Sequence, residues 1–206
     1  MHLDRKPRPS LTLADPAGAP GPALALGRAH EATGPAAWVF AALVASRLSG
    51  PVLWIRPAWS REAPHPEGVA PFFDPARLVF VDAPRPLDVL WAAEEALRSG
   101  AAPFVIAEAA EPPALTPLRR LQLAAEAGGA GAKGAVAPPL CLILPPRPGS
   151  AGAVESRWRC DPLPAWGPAG PDAPPRWRFE RSYGKSGPPL EWLATGASAS
   201  APLQAA

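Results

Sequence analysis

The chain has 206 residues, 48% of them hydrophobic, with a formal net charge of only +2. That is long enough for one ordinary domain with a real core, and too evenly charged for a broad nucleic-acid-binding surface. Two cysteines, Cys141 and Cys160, make neither a disulfide framework nor a metal site. The three histidines, His2, His30 and His65, have no ligand spacing with those cysteines, so neither a metal nor a cofactor is expected.

Residues 1–22 lack the apolar core of a secretory signal, and the apolar run 36–48 is too short to span a bilayer. No membrane association and a reduced cytoplasmic location are the expectations. The 32 prolines are unevenly spread. They crowd into 6–22, 57–71, 138–148 and 162–175, and are absent between Pro35 and Pro51. This pattern predicts disordered tails at 1–22 and 196–206 around a single domain at 23–195, with a Pro-rich loop at 161–175.

Within the domain, strands and helices alternate. A short strand is predicted at 28–32. An Ala-rich helix follows at 36–48, with Trp38, Leu43 and Val44 available for burial. PVLWIR at 51–56 and RLVFVD at 77–82 read as buried strands. PLDVLWAAEEALRSG at 86–100 is a helix, with Arg98 in its last turn and Gly100 at its C-cap. PFVIAE at 103–108 is a third buried strand. LRRLQLAAEA at 118–127 is a helix ended by Gly128 and Gly129. LCLIL at 140–144 is a fourth buried strand. Continuous apolar strands separated by helices indicate an α/β fold with a mostly parallel sheet covered on both faces. After residue 155 the segments 157–160, 176–181 and 190–194 alternate bulky and polar residues, as antiparallel edge strands with one wet face do.

This order resembles a RecA core. Gly27-Arg28-Ala29-His30-Glu31 followed by Thr33-Gly34-Pro35 resembles its opening strand and turn. PVLWI, FDPARLVFV, DVLWAAEEALRSGA and PFVIAE then follow in its order and spacing. RRLQLAAE at 119–126 and SRWR at 156–159 narrow the resemblance, which runs from about residue 24 to 195, to the ImuA family of RecA-related accessory proteins of inducible bacterial mutagenesis. The resemblance implies action beside ImuB, a Y-family polymerase relative, and an error-prone C-family DNA polymerase, under SOS control.

The residues themselves speak against ATP chemistry. A phosphate-binding loop needs two glycines, a lysine and a hydroxyl in the spacing G-x-x-x-x-G-K-[ST]. The matching stretch is Gly34-Pro35-Ala36-Ala37-Trp38-Val39-Phe40, in which only the first glycine survives and an indole enters the region. The second strand is followed by Arg56-Pro57-Ala58-Trp59, with no carboxylate before Glu62 to orient a water. Glu108 ends the third strand, where the resemblance implies a magnesium-associated acid. Without the lysine and hydroxyl it reads as a strand-end polar residue. PPRPGSA at 145–151 is a very short counterpart of RecA's second DNA loop, and residues 1–22 are too Pro-rich for a protomer-linking helix. No catalytic residue is expected.

Two groups of residues are candidates for contact with a partner or, weakly, with DNA. Arg119 and Arg120 begin the RRLQLAAE helix, either as a solvated helix end paired with Glu126 or Glu111, or as a contact. Arg157, Arg159, Arg176, Trp177, Arg178 and Arg181 lie on two Arg/Trp-alternating strands. There the tryptophans face the core with arginine stems at its rim, or the set forms a basic aromatic surface. His30-Glu31 and Glu94-Glu95 are not expected to be catalytic, with Glu95 the buried or capped member. The functional expectation is therefore a non-catalytic accessory protein in DNA damage tolerance. The alternatives are a SulA-like division inhibitor and a nucleotide- or DNA-binding RecA relative.

Overall fold

Three of the four apolar runs, at 52–57, 104–108 and 140–144, lie inside a nine-stranded sheet, and the fourth, at 78–83, forms one of its edges. In this computed structural model residues 9–13, 21–131, 137–150, 152–164, 173–185 and 190–205 are described. The strands are β1 (Ser10–Thr12), β2 (Ala23–Ala25), β3 (Ala29–Thr33), β4 (Val52–Pro57), β5 (Leu78–Ala83), β6 (Phe104–Glu108), β7 (Leu140–Leu144), β8 (Ser156–Leu163), β9 (Arg176–Gly184), β10 (Leu190–Thr195) and β11 (Leu203–Ala205). The helices are α1 (Ala37–Ser46), the single turn α2 (Pro66–Val69), α3 (Pro86–Ser99) and α4 (Leu115–Gly131). The main sheet has the order β11-β10-β9-β8-β3-β7-β6-β4-β5. Every pair from β5 to β8 is parallel, and every pair from β8 to β11 antiparallel.

Alternate side chains of the central strands supply two cores, as the two-residue period of a strand requires. Trp54, Phe104, Ile106, Leu140 and Leu142 pack beneath α1. Ile55, Val105, Ala107, Cys141 and Ile143 pack beneath α3 and α4. The two thiols are buried packing groups. Burial pushes Cys141 up to about 12 and Cys160 well above the usual thiol value, so neither is a thiolate at neutral pH.

Several expectations differ from the structure. The strand expected to be buried at 77–82 is the sheet edge, β5, where Val79 and Phe80 are exposed because no further described strand or helix covers them. Helix α4 runs through Gly128 and Gly129 to Gly131 rather than ending before them. These glycines serve close approach instead. A Cβ on Gly128 would collide with the carbonyl oxygen of Leu97 in α3, and one on Gly129 would lie 2.7 Å from Pro138. Ser10–Thr12, within the segment expected to be disordered, pairs antiparallel with β2, and Leu13 and Leu24 are fully buried. Leu203–Ala205, within the expected C-terminal tail, adds an edge strand to β10, with Ala201 and Leu203 buried. Short strands of three residues carry too little periodicity to be read against a Pro- and Ala-rich background. Strand β8 also extends to Leu163, into the expected loop at 161–175, of which 165–172 lie outside the described residues.

Candidate functional site

Parallel strands β3, β4, β6 and β7 end together at Thr33, Pro57, Glu108 and Leu144, and a cleft of about 760 Å³ opens there. It lies outside the carboxyl ends of the strands, where open α/β sheets bind ligands. Its lining combines Thr33, Gly34, Pro35, Ala37 and Trp38 with Pro57, Trp59, Ser60, Glu62, Glu108, Pro145 and Pro146.

The junction Gly34-Pro35-Ala36-Ala37-Trp38 forms one wall. Gly34 has φ +97°, and a Cβ there would collide with the carbonyl oxygen of Cys160 in β8, so this glycine is needed for packing whatever the cleft holds. Pro35 has no N–H. The N–H of Ala36 donates to that same Cys160 carbonyl at 3.0 Å, and the N–H of Ala37 donates to Gly34 at 3.0 Å. Two of the N–H groups that could face a phosphate at this turn are thus engaged within the protein. The Trp38 ring meets Trp54 edge to face, with centroids 5.4 Å apart.

Two carboxylates line the cleft. Glu108 accepts a short hydrogen bond from the Trp54 indole N–H. Burial raises its pKa, opposed by that hydrogen bond and by Arg56, while Glu62 raises it further. Arg56 itself is engaged with Asp82 at 2.8 Å and with the main-chain oxygen of Glu62 at 3.1 Å. Trp59 stands at the margin, 54% exposed. Sequence reading set Glu62 aside because it follows β4 by several residues. The turn after Pro57 folds it back, and only the three-dimensional path reveals that.

The candidate arginines are divided among several environments. Arg157 is buried. Its Nε donates to Glu31 Oε1 at 2.7 Å, the Gly149 N–H donates to the same oxygen at 2.8 Å, and its guanidinium lies 5.6 Å from the Tyr183 ring centre. Arg159 and Arg178 both reach Asp161, at 2.8 and 3.1 Å, on the opposite face of the sheet extension from Trp158. Arg176 is exposed at the start of β9, and Arg181 is partly covered. Trp177 packs against the α1-side core and donates its indole N–H to Gly196 at 3.1 Å. Arg120 pairs with Glu94 of α3 at 2.8 Å rather than with Glu111 or Glu126, and Glu94 also binds Arg98. Glu94, not Glu95, is the buried member of that pair. Arg119 lies on another surface, beside Gln122, Leu123 and Lys185.

Much of RRLQLAAE is structural. Gln122 imitates a peptide group. Its amide accepts from the Ala29 N–H at 3.2 Å and donates to the carbonyls of Ala29 at 3.0 Å and Ala153 at 2.9 Å. Leu121, Ala124 and Ala125 are buried, and Glu126 pairs with Arg28. A second polar chain lies under β3. His30 Nε2–H donates to the Ala25 carbonyl at 2.9 Å, since a carbonyl only accepts. His30 Nδ1 therefore accepts from Ser156, at 2.6 Å, and Ser156 Oγ accepts from the Trp158 indole at 2.7 Å. Among the described residues no cluster of His, Cys, Asp and Glu has the form of a metal site, and no helix is long and apolar enough to cross a membrane.

No family model matches the chain. Among solved structures, the RadB recombinase superposes with a TM-score of 0.55 at 13% identity, covering 85% of this chain and 89% of that one. SulA from Pseudomonas aeruginosa gives a TM-score of 0.45 at 19% identity over 58% of this chain and 98% of its own. The RadB superposition and the mixed sheet make the fold RecA-like, with an antiparallel extension. Protein ImuA of Caulobacter vibrioides, from strains NA1000 / CB15N and ATCC 19089 / CIP 103742 / CB 15, is 36% identical over 219 aligned residues. That alignment takes in 92% of this chain and 84% of the relative, and on that extent the chain belongs to the ImuA family.

Proposed function

We propose that this chain is a non-catalytic RecA-like accessory protein of SOS-induced mutagenesis and DNA damage tolerance, acting with an ImuB-like protein and an error-prone C-family DNA polymerase. The observation that carries the non-catalytic part is the strand-to-helix junction. Pro35 lacks an N–H, the N–H groups of Ala36 and Ala37 are bonded to Cys160 and Gly34, and Phe40 and Ala41 stand where a phosphate loop needs its lysine and hydroxyl. A phosphate entering there would find the N–H groups of Ala36 and Ala37 already bonded and no lysine, and it would face Glu62 and Glu108. The partners come from the family relationship.

The test uses the purified full chain with an ImuB-like protein co-expressed from the same source. Magnesium ATP is expected to leave the melting temperature unchanged and to be turned over no faster than in buffer. The ImuB-like protein is expected to co-purify with the chain. Saturable stabilisation by nucleotide, or magnesium-dependent hydrolysis abolished by Glu108→Gln, would overturn the non-catalytic reading. Separation of the two proteins at micromolar concentration would overturn the partnership.

A further inference from the structure

We infer that the cleft at the strand ends takes the basic side chains of an extended arginine- or lysine-bearing segment of a protein partner. The inference rests on the proposal that the cleft no longer serves nucleotide, and it adds what the cleft serves instead.

Its polarity is reversed relative to a phosphate site. Among the described lining residues there are two carboxylates, Glu62 and Glu108, and no basic side chain. Neither carboxylate forms an ion pair with another described residue, because the nearby Arg56 is spent on Asp82 and on a main-chain oxygen. Some main-chain donors are missing too. Four of the lining residues, Pro35, Pro57, Pro145 and Pro146, have no N–H to offer. A rim with two carboxylates and no basic side chain disfavours phosphate and favours a ligand that brings positive charge and donors, which a guanidinium or ammonium does.

Aromatic surface stands beside that charge. Trp38 and the exposed Trp59 line the same cleft, and an indole face attracts a cation. Glu108 is half-covered and raised by burial, and it gains from an arriving cation that restores its charged form. At about 760 Å³ the cleft exceeds what one side chain fills, so a short extended segment fits better than a free ion. Charge complementarity selects a basic protein segment over a nucleic acid.

The experiment titrates the full chain into a fluorescein-labelled alternating glycine–arginine octapeptide at low ionic strength. Anisotropy and intrinsic tryptophan fluorescence are followed together, and glycine–glutamine and glycine–glutamate octapeptides serve as matched probes. Saturable binding of the arginine peptide alone is expected, with a change in tryptophan emission. Glu62→Gln, at an exposed position, is expected to weaken it about threefold. The Glu62→Gln/Glu108→Gln pair should weaken it about tenfold or more, with the glutamine amide oxygen still able to accept from Trp54. Trp59→Ala should cost about two- to fivefold, and Arg119→Ala nothing. No binding by the wild type, equal binding of the glutamine peptide, or unchanged affinity in the double variant overturns the inference. Those outcomes leave the non-catalytic reading standing. Displacement of the peptide by magnesium ATP with stabilisation of the protein overturns that reading instead.

Discussion

The parallel half of the sheet and its antiparallel extension are built from different materials. In β4, β6 and β7 most residues are apolar and covered, β3 is wholly buried although it carries His30, Glu31 and Thr33, and helices pack on both faces. In β8 to β10 one face is aromatic: Phe40 of α1 meets Trp158 and Phe179, and Trp158 meets Trp192, at centroid distances of 5.0–5.7 Å. The other face is charged, with Asp161 joining Arg159 and Arg178. The costliest groups lie at the seam between β3 and β8, where Glu31 and Arg157 pair in the interior and His30, Ser156 and Trp158 form a chain. Apolar packing holds each half. Buried polar groups fix how the halves are registered.

The sharpest way to break that seam is Glu31→Gln. It removes the carboxylate that the buried Arg157 guanidinium pairs with, and breaking one partner of a buried pair costs about 3–5 kcal/mol. Urea denaturation followed by tryptophan fluorescence measures it. A loss below about 1 kcal/mol would assign the strength of the seam to Trp158 and its aromatic neighbours instead.

The seam also predicts a pH dependence. His30 is lowered to about 4, first by burial, with Arg28 and Lys185 adding to the fall and the bond to Ala25 opposing it. Its folded pKa thus lies below its unfolded value of 6.5. Between those values the unfolded chain binds the proton more tightly. Stability is full above pH 6.5 and is lost as the pH falls towards 4. By pH 5 the loss from this one group is about 2 kcal/mol. The stability profile of His30→Gln between pH 7 and 5 should be flatter than that of the wild type. Parallel profiles would mean that His30 is protonated equally in both states.

How much was legible follows the same division. The parallel strands and α1 and α3 were read to within a residue or two, because continuous apolar runs bounded by Gly and Pro leave few alternatives. The strand-to-helix junction was legible as a pattern too: counted from Gly34, Val39, Phe40 and Ala41 stand where a phosphate loop needs glycine, lysine and a hydroxyl. The seam was not legible. Glu31 and Arg157 lie far apart in sequence, and nothing local marks a charged residue as buried. The cleft's second carboxylate, Glu62, depended on the path of a turn. Gly128 and Gly129 were read as a helix stop because glycine commonly stops helices, yet here it admits a neighbouring backbone.

That misreading makes a prediction. Glycine to alanine within a helix ordinarily stabilises by about 1 kcal/mol. At Gly128 the added methyl would meet the Leu97 carbonyl of α3, so α3 and α4 must separate. Overpacking costs about 1–3 kcal/mol, and the net change should be a destabilisation of about 1 kcal/mol, with a lower thermal midpoint. A gain in stability would show that the two helices can part freely, and would weaken the picture of the parallel half as rigidly sealed.

The smallest effect belongs to the charged face of the extension. Arg159 is largely exposed and shares Asp161 with Arg178, so Arg159→Ala should change stability by less than about 1 kcal/mol. That near-neutrality makes the substitution informative. Any loss of binding to an ImuB-like protein in this variant would be an interface effect rather than damage to the fold. It would give the extension a contact surface independent of the cleft. If Arg159→Ala leaves binding intact while Glu62→Gln weakens it, contact centres on the ends of the parallel strands. The extension would then serve to complete the sheet and to hold Gly34 against Cys160.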